Sequence, residues 1–142
     1  MASNGSVTHL FDAAKAVRER AHAPYSNFRV GAALRSSAGI VYAGCNVENA
    51  SYPEGWCAET SAIAQLIAAG DRQIEEVVVV AGGDRLCTPC GGCRQRLAEF
   101  AGPETIIHAA DLNGILKSFK MRDLLPEAFV LVSGTDDKGS GS

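Results

Sequence analysis

Four valines in a row, Val77 to Val80, constrain the architecture more than any other feature of this 142-residue chain. Successive residues of a strand point to opposite faces, so an unbroken β-branched run needs apolar cover on both sides, as in a sheet with helices above and below it. The rest of the sequence offers those helices. Val7, Leu10, Phe11, Ala14 and Val17 recur at helical spacing with Lys15, Arg18, Glu19 and Arg20 between them, which predicts an amphipathic first helix that cannot easily continue through Pro24-Tyr25-Ser26-Asn27. Phe28 to Leu34 reads as a strand, Ser36-Ser37-Ala38-Gly39 as a turn, and Ile40 to Tyr42 as the hairpin partner. A polar loop from Gly44 to Gly55 leads into a helix whose Ile63, Leu66 and Ile67 share a face before Gly70. A third helix is expected from near Cys90 to Cys93, burying Leu97 and Phe100 and ending at Gly102-Pro103. Thr105 to His108 and Phe129 to Val132 complete the strands. This order implies the α/β class, a three-layer α/β/α sandwich around a central mixed sheet. The expectation is one domain over 1–133, with a Gly-, Ser- and Asp-rich tail, 134–142, that is disordered.

Composition narrows the function classes. Hydrophobic residues make up 46% and charged residues 20%, the proportions of a globular protein. No apolar run approaches the ~20 residues needed to cross a bilayer, and Met1 to Ser6 lacks the basic start and apolar stretch of a secretory signal. A cytoplasmic protein without a membrane partner is expected. The formal charge of −3, with 13 scattered Lys and Arg residues, argues against nucleic acid as a partner. The five cysteines, at 45, 57, 87, 90 and 93, are an odd number, which points away from a disulfide framework and toward metal binding or catalysis.

Chemistry concentrates in Cys57-Ala58-Glu59 and Pro89-Cys90-Gly91-Gly92-Cys93. Together they reproduce the two-part signature of zinc deaminases, a ligand two residues before a Glu joined to a Pro-Cys-x-x-Cys. Both segments fall at expected helix starts, where unpaired backbone N–H groups and the positive end of the dipole favour thiolate. Cys57, Cys90 and Cys93 would hold one zinc, leaving a fourth position for water. Glu59 would carry protons from that water to the substrate ring and then to the departing amine. Three anionic sulfurs call for compensating positive charge, and Arg94, directly after Cys93, is placed to provide it. Other readings of these cysteines remain open: an iron–sulfur run, a closed four-thiol zinc site using Cys45 or Cys87, or a Cys90/Cys93 redox pair. The first lacks a further cysteine after Cys93, and the second leaves Glu59 without a task.

From Pro24-Tyr25-Ser26-Asn27-Phe28-Arg29-Val30-Gly31-Ala32-Ala33, through Gly44-Cys45-Asn46-Val47-Glu48-Asn49-Ala50-Ser51-Tyr52 and the two cysteine segments, to Leu124-Leu125-Pro126-Glu127-Ala128-Phe129, the chain closely resembles the cytidine deaminase family. The resemblance is to its small, homotetrameric, three-cysteine branch. It implies zinc-dependent hydrolysis of cytidine and deoxycytidine to uridine and deoxyuridine with release of ammonia, a step of pyrimidine salvage. It further implies that Asn46 and Glu48 hold the ribose hydroxyls, that Phe28 stacks on the pyrimidine, and that Tyr52 and Ala58 contribute substrate contacts. Phe129 would reach into a neighbouring subunit's site. The plainer roles of these residues are a turn cap for Asn46, a solvated carboxylate for Glu48 and a core position for Phe28. The sequence departs from the family at Thr60, where an Arg usually bonds to the zinc thiolates, so Arg94 would carry more of the charge balance. Trp56 stands where the family usually has a smaller residue and reads as a core or interface anchor. Retention of Asn46-Val47-Glu48-Asn49 favours an ordinary nucleoside over the modified ones taken by the related blasticidin S deaminases. A nucleotide is disfavoured because no Gly-rich phosphate cradle is present and Glu48 would repel a phosphate.

Overall fold

A computed structural model describes residues 2–83 and 86–131, with side chains from Val7 onward. Val77 to Val80 lie at the centre of strand β3 (Ile74–Ala81) and are 0–2% exposed. Val77 and Val79 face one helical layer and Val78 and Val80 the other, as the unbroken run requires. The sheet has five strands in the order β2-β1-β3-β4-β5, with β1 at Val30–Ser36, β2 at Val41–Cys45, β4 at Ala101–Asp111 and β5 at Gly114–Lys120. β3 and β4 are parallel and the other neighbours antiparallel, so the sheet is mixed. Helix α1 (Ala2–Arg18) covers one face, where Leu10 and Ala14 pack on Ala33, Val78, Val80 and Ala110. Helices α2 (Ala58–Ala68), α3 (Gly91–Phe100) and α4 (Met121–Leu124) cover the other, where Ala62, Leu66, Leu97, Met121 and Leu124 pack on Leu34, Val77, Val79 and Ile107. This is the three-layer α/β/α sandwich. No helix among the described residues is long and apolar enough to cross a membrane.

Two glycines set the distance between layers. A Cβ at Gly31 would lie 2.8 Å from the Arg18 backbone N and nearer still to the Ala14 carbonyl, so its absence lets α1 press on β1. A Cβ at Gly44 would lie 2.7 Å from the Ser61 carbonyl carbon and nearer still to the Ala62 N, so α2 rests directly on β2.

The hairpin forms where expected, but β1 begins at Val30 rather than Phe28 because the side chain of Asn46 engages the backbone of Phe28 and Val30. Two expectations are corrected. Gly102-Pro103 is not a stop after α3: the helix passes into β4 at Ala101, and the Thr105 hydroxyl accepts from Gly102 N (3.0 Å) and donates to the Ile74 carbonyl (3.2 Å) where the ladder register shifts. Residues 129–131 form no strand, and Val132 lies outside the described residues, as does the tail 134–142. The fifth strand is Gly114–Lys120 instead, joined to β4 by a turn in which Asp111 Oδ1 accepts from Asn113 N (2.8 Å) and Gly114 N (3.1 Å).

Candidate metal centre and active site

Cys57 and Cys90 are the N-cap residues of α2 and α3, both in extended conformation, and neither sulfur is spent on a side-chain cap. Cys93 follows in the first turn of α3 and is buried. The two helix starts face each other, so the three Sγ atoms all lie within 4.8 Å of one another, with Cys57 and Cys90 4.0 Å apart. Zn–S bonds of about 2.3 Å in a tetrahedron place sulfurs about 3.8 Å apart, so these thiols fit a single zinc with little movement. The donor set fits too: soft sulfurs at the positive ends of two helices. Among the described residues the cluster holds no fourth thiol; Cys45 ends β2 and Cys87 lies on the wall of the neighbouring cavity. The Cys57 thiol is held at about 6, chiefly because the Cys93 thiol donates to its sulfur. The same bond, with burial, pushes Cys93 up.

Glu59, second residue of α2, is 5% exposed. Burial pushes its carboxyl up from the ordinary range, outweighing the pull of its own backbone N–H. It lies on a cavity of about 260 Å³ that also takes in Cys57, Ala58, Cys90, Phe28, Val30, Asn46, Glu48, Ser26, Val79, Cys87 and Thr88. Residues from five separate stretches of the sequence therefore meet in one hollow. The loop that brings Asn46 and Glu48 there is closed by paired backbone bonds between Val47 and Trp56 (2.9 and 2.8 Å) and by Glu48 N donating to the His22 carbonyl (2.8 Å). Trp56 is half exposed, so its backbone closes the loop while its ring stays at the surface.

Asn46 and Glu48 each have a second task. Asn46 Oδ1 accepts from Val30 N and its Nδ2 donates to the Phe28 carbonyl, both at 2.9 Å, leaving one N–H and one lone pair for a ligand. Glu48 Oε1 accepts from Tyr25 N (3.0 Å) and Ser26 N (3.1 Å), while Oε2 accepts a short bond from the Ser26 hydroxyl. That hydroxyl, first among its partners, holds the Glu48 carboxyl below its ordinary value. These bonds shape the turn through Asn27, whose φ of 58° lies in the left-handed region that Asn tolerates, and so aim Phe28 into the cavity.

Other predicted site residues lie elsewhere. Tyr52 is 75% exposed and lines an adjoining hollow of about 320 Å³ with Tyr25, the two rings 5.9 Å apart and edge-on. Phe129 is 70% exposed, with its backbone carbonyl accepting from Gln95 Nε2 at 3.3 Å. The Arg94 guanidinium donates to the Pro89 carbonyl (2.8 Å), the Leu124 carbonyl (3.1 Å) and the Thr88 hydroxyl (3.1 Å), stapling the segment before α3 to the end of α4; its charge stays beside the cluster, but its described bonds do not reach a sulfur. Arg96, absent from the sequence reading, is the cation on sulfur, with Nη1 3.9 Å from Cys93 Sγ. Its signal was available, since a residue three positions after Cys93 lies on the same helix face. The Thr60 hydroxyl is buried without a partner.

A mixed sheet that sets two helix starts against each other, three thiols between them and a buried carboxyl alongside, defines a zinc hydrolase of the deaminase fold. Residues 6–109 match the cytidine and deoxycytidylate deaminase zinc-binding region, and the chain belongs to that family. It is 39% identical over 123 residues to the cytidine deaminase of Sporosarcina psychrophila, covering 87% of this chain and 90% of that one. It is 42% identical over 112 residues to that of Halalkalibacterium halodurans, covering 79% and 85%. The crystal structure of cytidine deaminase from Burkholderia pseudomallei superposes with a TM-score of 0.81 at 44% identity, covering 86% of this chain and 98% of that one.

Proposed function

We propose that the chain hydrolyses cytidine and deoxycytidine to uridine and deoxyuridine, releasing ammonia, with Glu59 as its proton carrier. The observation that carries this reading is the placement of a buried carboxyl, raised by burial, on the cavity wall that also bears Cys57 and Cys90. Cys57, Cys90 and Cys93 would hold zinc, whose Lewis acidity brings water into reactive range near neutral pH. Glu59 takes a proton from the attacking water and delivers it to ring nitrogen 3, then takes the proton of the new hydroxyl on carbon 4 and passes it to the amine as the carbon–nitrogen bond breaks, leaving a carbonyl at carbon 4. A carboxyl raised above its ordinary range suits this double duty, because it gives and takes a proton at little cost. Phe28 covers one face of the ring. The free N–H of Asn46 and the remaining lone pair of Glu48 Oε2 address the ribose hydroxyls, and the fixed negative charge of Glu48 disfavours a phosphate there.

The exposure of Tyr52 and Phe129 outside their own chain's cavity supports a homotetramer in which both rings complete the pockets of neighbouring subunits. Turnover of cytidine, deoxycytidine, CMP and blasticidin S, measured beside a metal analysis, tests the proposal. Rapid deamination of the two nucleosides with one zinc per chain is expected, and a zinc-loaded protein that leaves both intact would overturn it.

A further inference from the structure

We infer that Arg96 is a positioning residue for the metal centre, holding the Cys93 sulfur in place and slowing zinc loss. The inference rests on the zinc reading above. Three thiolates around a dication leave one net negative charge, and a buried carboxyl stands beside them. Neither of the other two nearby candidates directs a described hydrogen bond to a thiol sulfur. Arg94 is bound to two carbonyls and a hydroxyl, and Thr60 contributes only an uncharged hydroxyl. Arg96 lies one helical turn after Cys93 with Nη1 3.9 Å from Sγ.

The backbone makes room for this contact. A Cβ at Gly92 would come within 3.3 Å of Arg96 Nη1 and 3.9 Å of its Cζ, so the guanidinium lies over the bare Cα of the residue preceding Cys93. Two features of α3 thus serve one geometry: a glycine at its second position and an arginine at its sixth. A hydrogen bond donated to a ligating thiolate lowers the sulfur's negative charge without taking it from the metal, and fixes the rotamer from which it binds.

The test compares zinc-loaded wild type with Arg96→Met, Arg96→Lys and Gly92→Ala. Zinc transfer to the chelator 4-(2-pyridylazo)resorcinol gives the release rate, and the cobalt-substituted proteins give the sulfur-to-metal charge-transfer band. Loss of a partner behind a metal ligand costs about 10–100-fold in affinity, and Arg96 is exposed, so the low end, about tenfold faster release, is expected for Arg96→Met. The charge-transfer band should move to lower energy as the sulfur loses its donor. Gly92→Ala, which keeps the charge but displaces it, should shift both readouts in the same direction, and Arg96→Lys should recover part of the wild-type release rate. Release within twofold of wild type in Arg96→Met, or faster release with an unmoved band, overturns the inference. A wild type that holds no zinc overturns instead the reading on which it rests.

Discussion

Replacing Gly44 with Ala should damage catalysis by moving a helix to which the new methyl group does not belong. The added Cβ would stand 2.7 Å from the carbonyl carbon and Cβ of Ser61, and closer to the Ala62 N. Two of these three atoms are helix backbone, which no rotamer change can withdraw. Ordinary contact begins at 3.4 Å, so α2 must retreat from β2 by up to about 1 Å. Overpacking of this kind costs about 1–3 kcal/mol, and each kcal/mol lowers the melting midpoint of a chain this size by roughly 4 °C. The catalytic cost should be larger, because the first turn of α2 carries Cys57 and Glu59, and a 1 Å misplacement of reacting groups can cost about 10²-fold in rate. Urea unfolding of the zinc-loaded variant, beside kcat and KM measured well below its midpoint, separates the two effects. β2 is an edge strand and could itself yield. A variant with a lowered midpoint but wild-type kcat would show that the strand moves and the helix does not, which would refute the reasoning.

Cys90→Ala should lose zinc and stability together while Cys45→Ala keeps both; full occupancy in the first would remove it as a ligand, and equal loss in Cys87→Ala would indicate a closed four-thiol site. Glu59→Gln should keep zinc and lose at least about 10²–10⁴ in kcat. Because folding raises the Glu59 carboxyl, the unfolded chain releases its proton first as pH rises through the ordinary 4.5, so metal-free wild type should fall behind the Gln variant above that pH; a constant gap between pH 4 and 7 would count against this. Glu48 has the opposite sign: its depressed carboxyl stabilises the fold above the ordinary 4.5, and that contribution disappears as pH falls through the depressed value, so Glu48→Gln should flatten the acid limb of a melting-temperature profile. Phe129→Ala should raise KM for cytidine roughly five- to 150-fold with zinc content near normal, in line with stacking worth about 1–3 kcal/mol, and an unaltered KM would sink the shared pocket.

The layers and the thiol site were legible because their signals are local. A valine run needs cover on two faces wherever it occurs, and Cys57-Ala58-Glu59 with Pro89-Cys90-Gly91-Gly92-Cys93 carries its ligand spacing within a few residues. β5 was not legible, since an edge strand with both faces partly in water has no need of apolar alternation, and Ile115-Leu116-Lys117-Ser118-Phe119 shows little of it. The exposed Phe129-Val130-Leu131 carries a stronger β pattern yet forms no strand; its apolar side chains find no cover among the described residues. Arg96 is legible only through helix geometry, which directs the residue 94 side chain to the Pro89 carbonyl and carries residue 96 back over Cys93, although residue 94 is the nearer in sequence. The second task of Asn46 and Glu48, shaping the turn that presents Phe28, depends on backbone atoms more than fifteen residues away, and spacing holds no trace of it.

The thiols meet only by way of the sheet. Cys57 and Cys90 are separated by 33 residues, and the intervening chain includes β3, which must lie between β1 and β4 before the two helix starts can face each other. A newly made chain therefore presents Cys90 and Cys93 as a close pair and Cys57 as a distant single thiol, and bringing them together carries the entropy of closing that long loop. Two-thiol capture of a metal before folding avoids that cost; three-thiol capture before folding bears it in full. The third sulfur–metal bond is thus a report that the strand order is correct, and zinc affinity should rise in step with the assembly of the sheet.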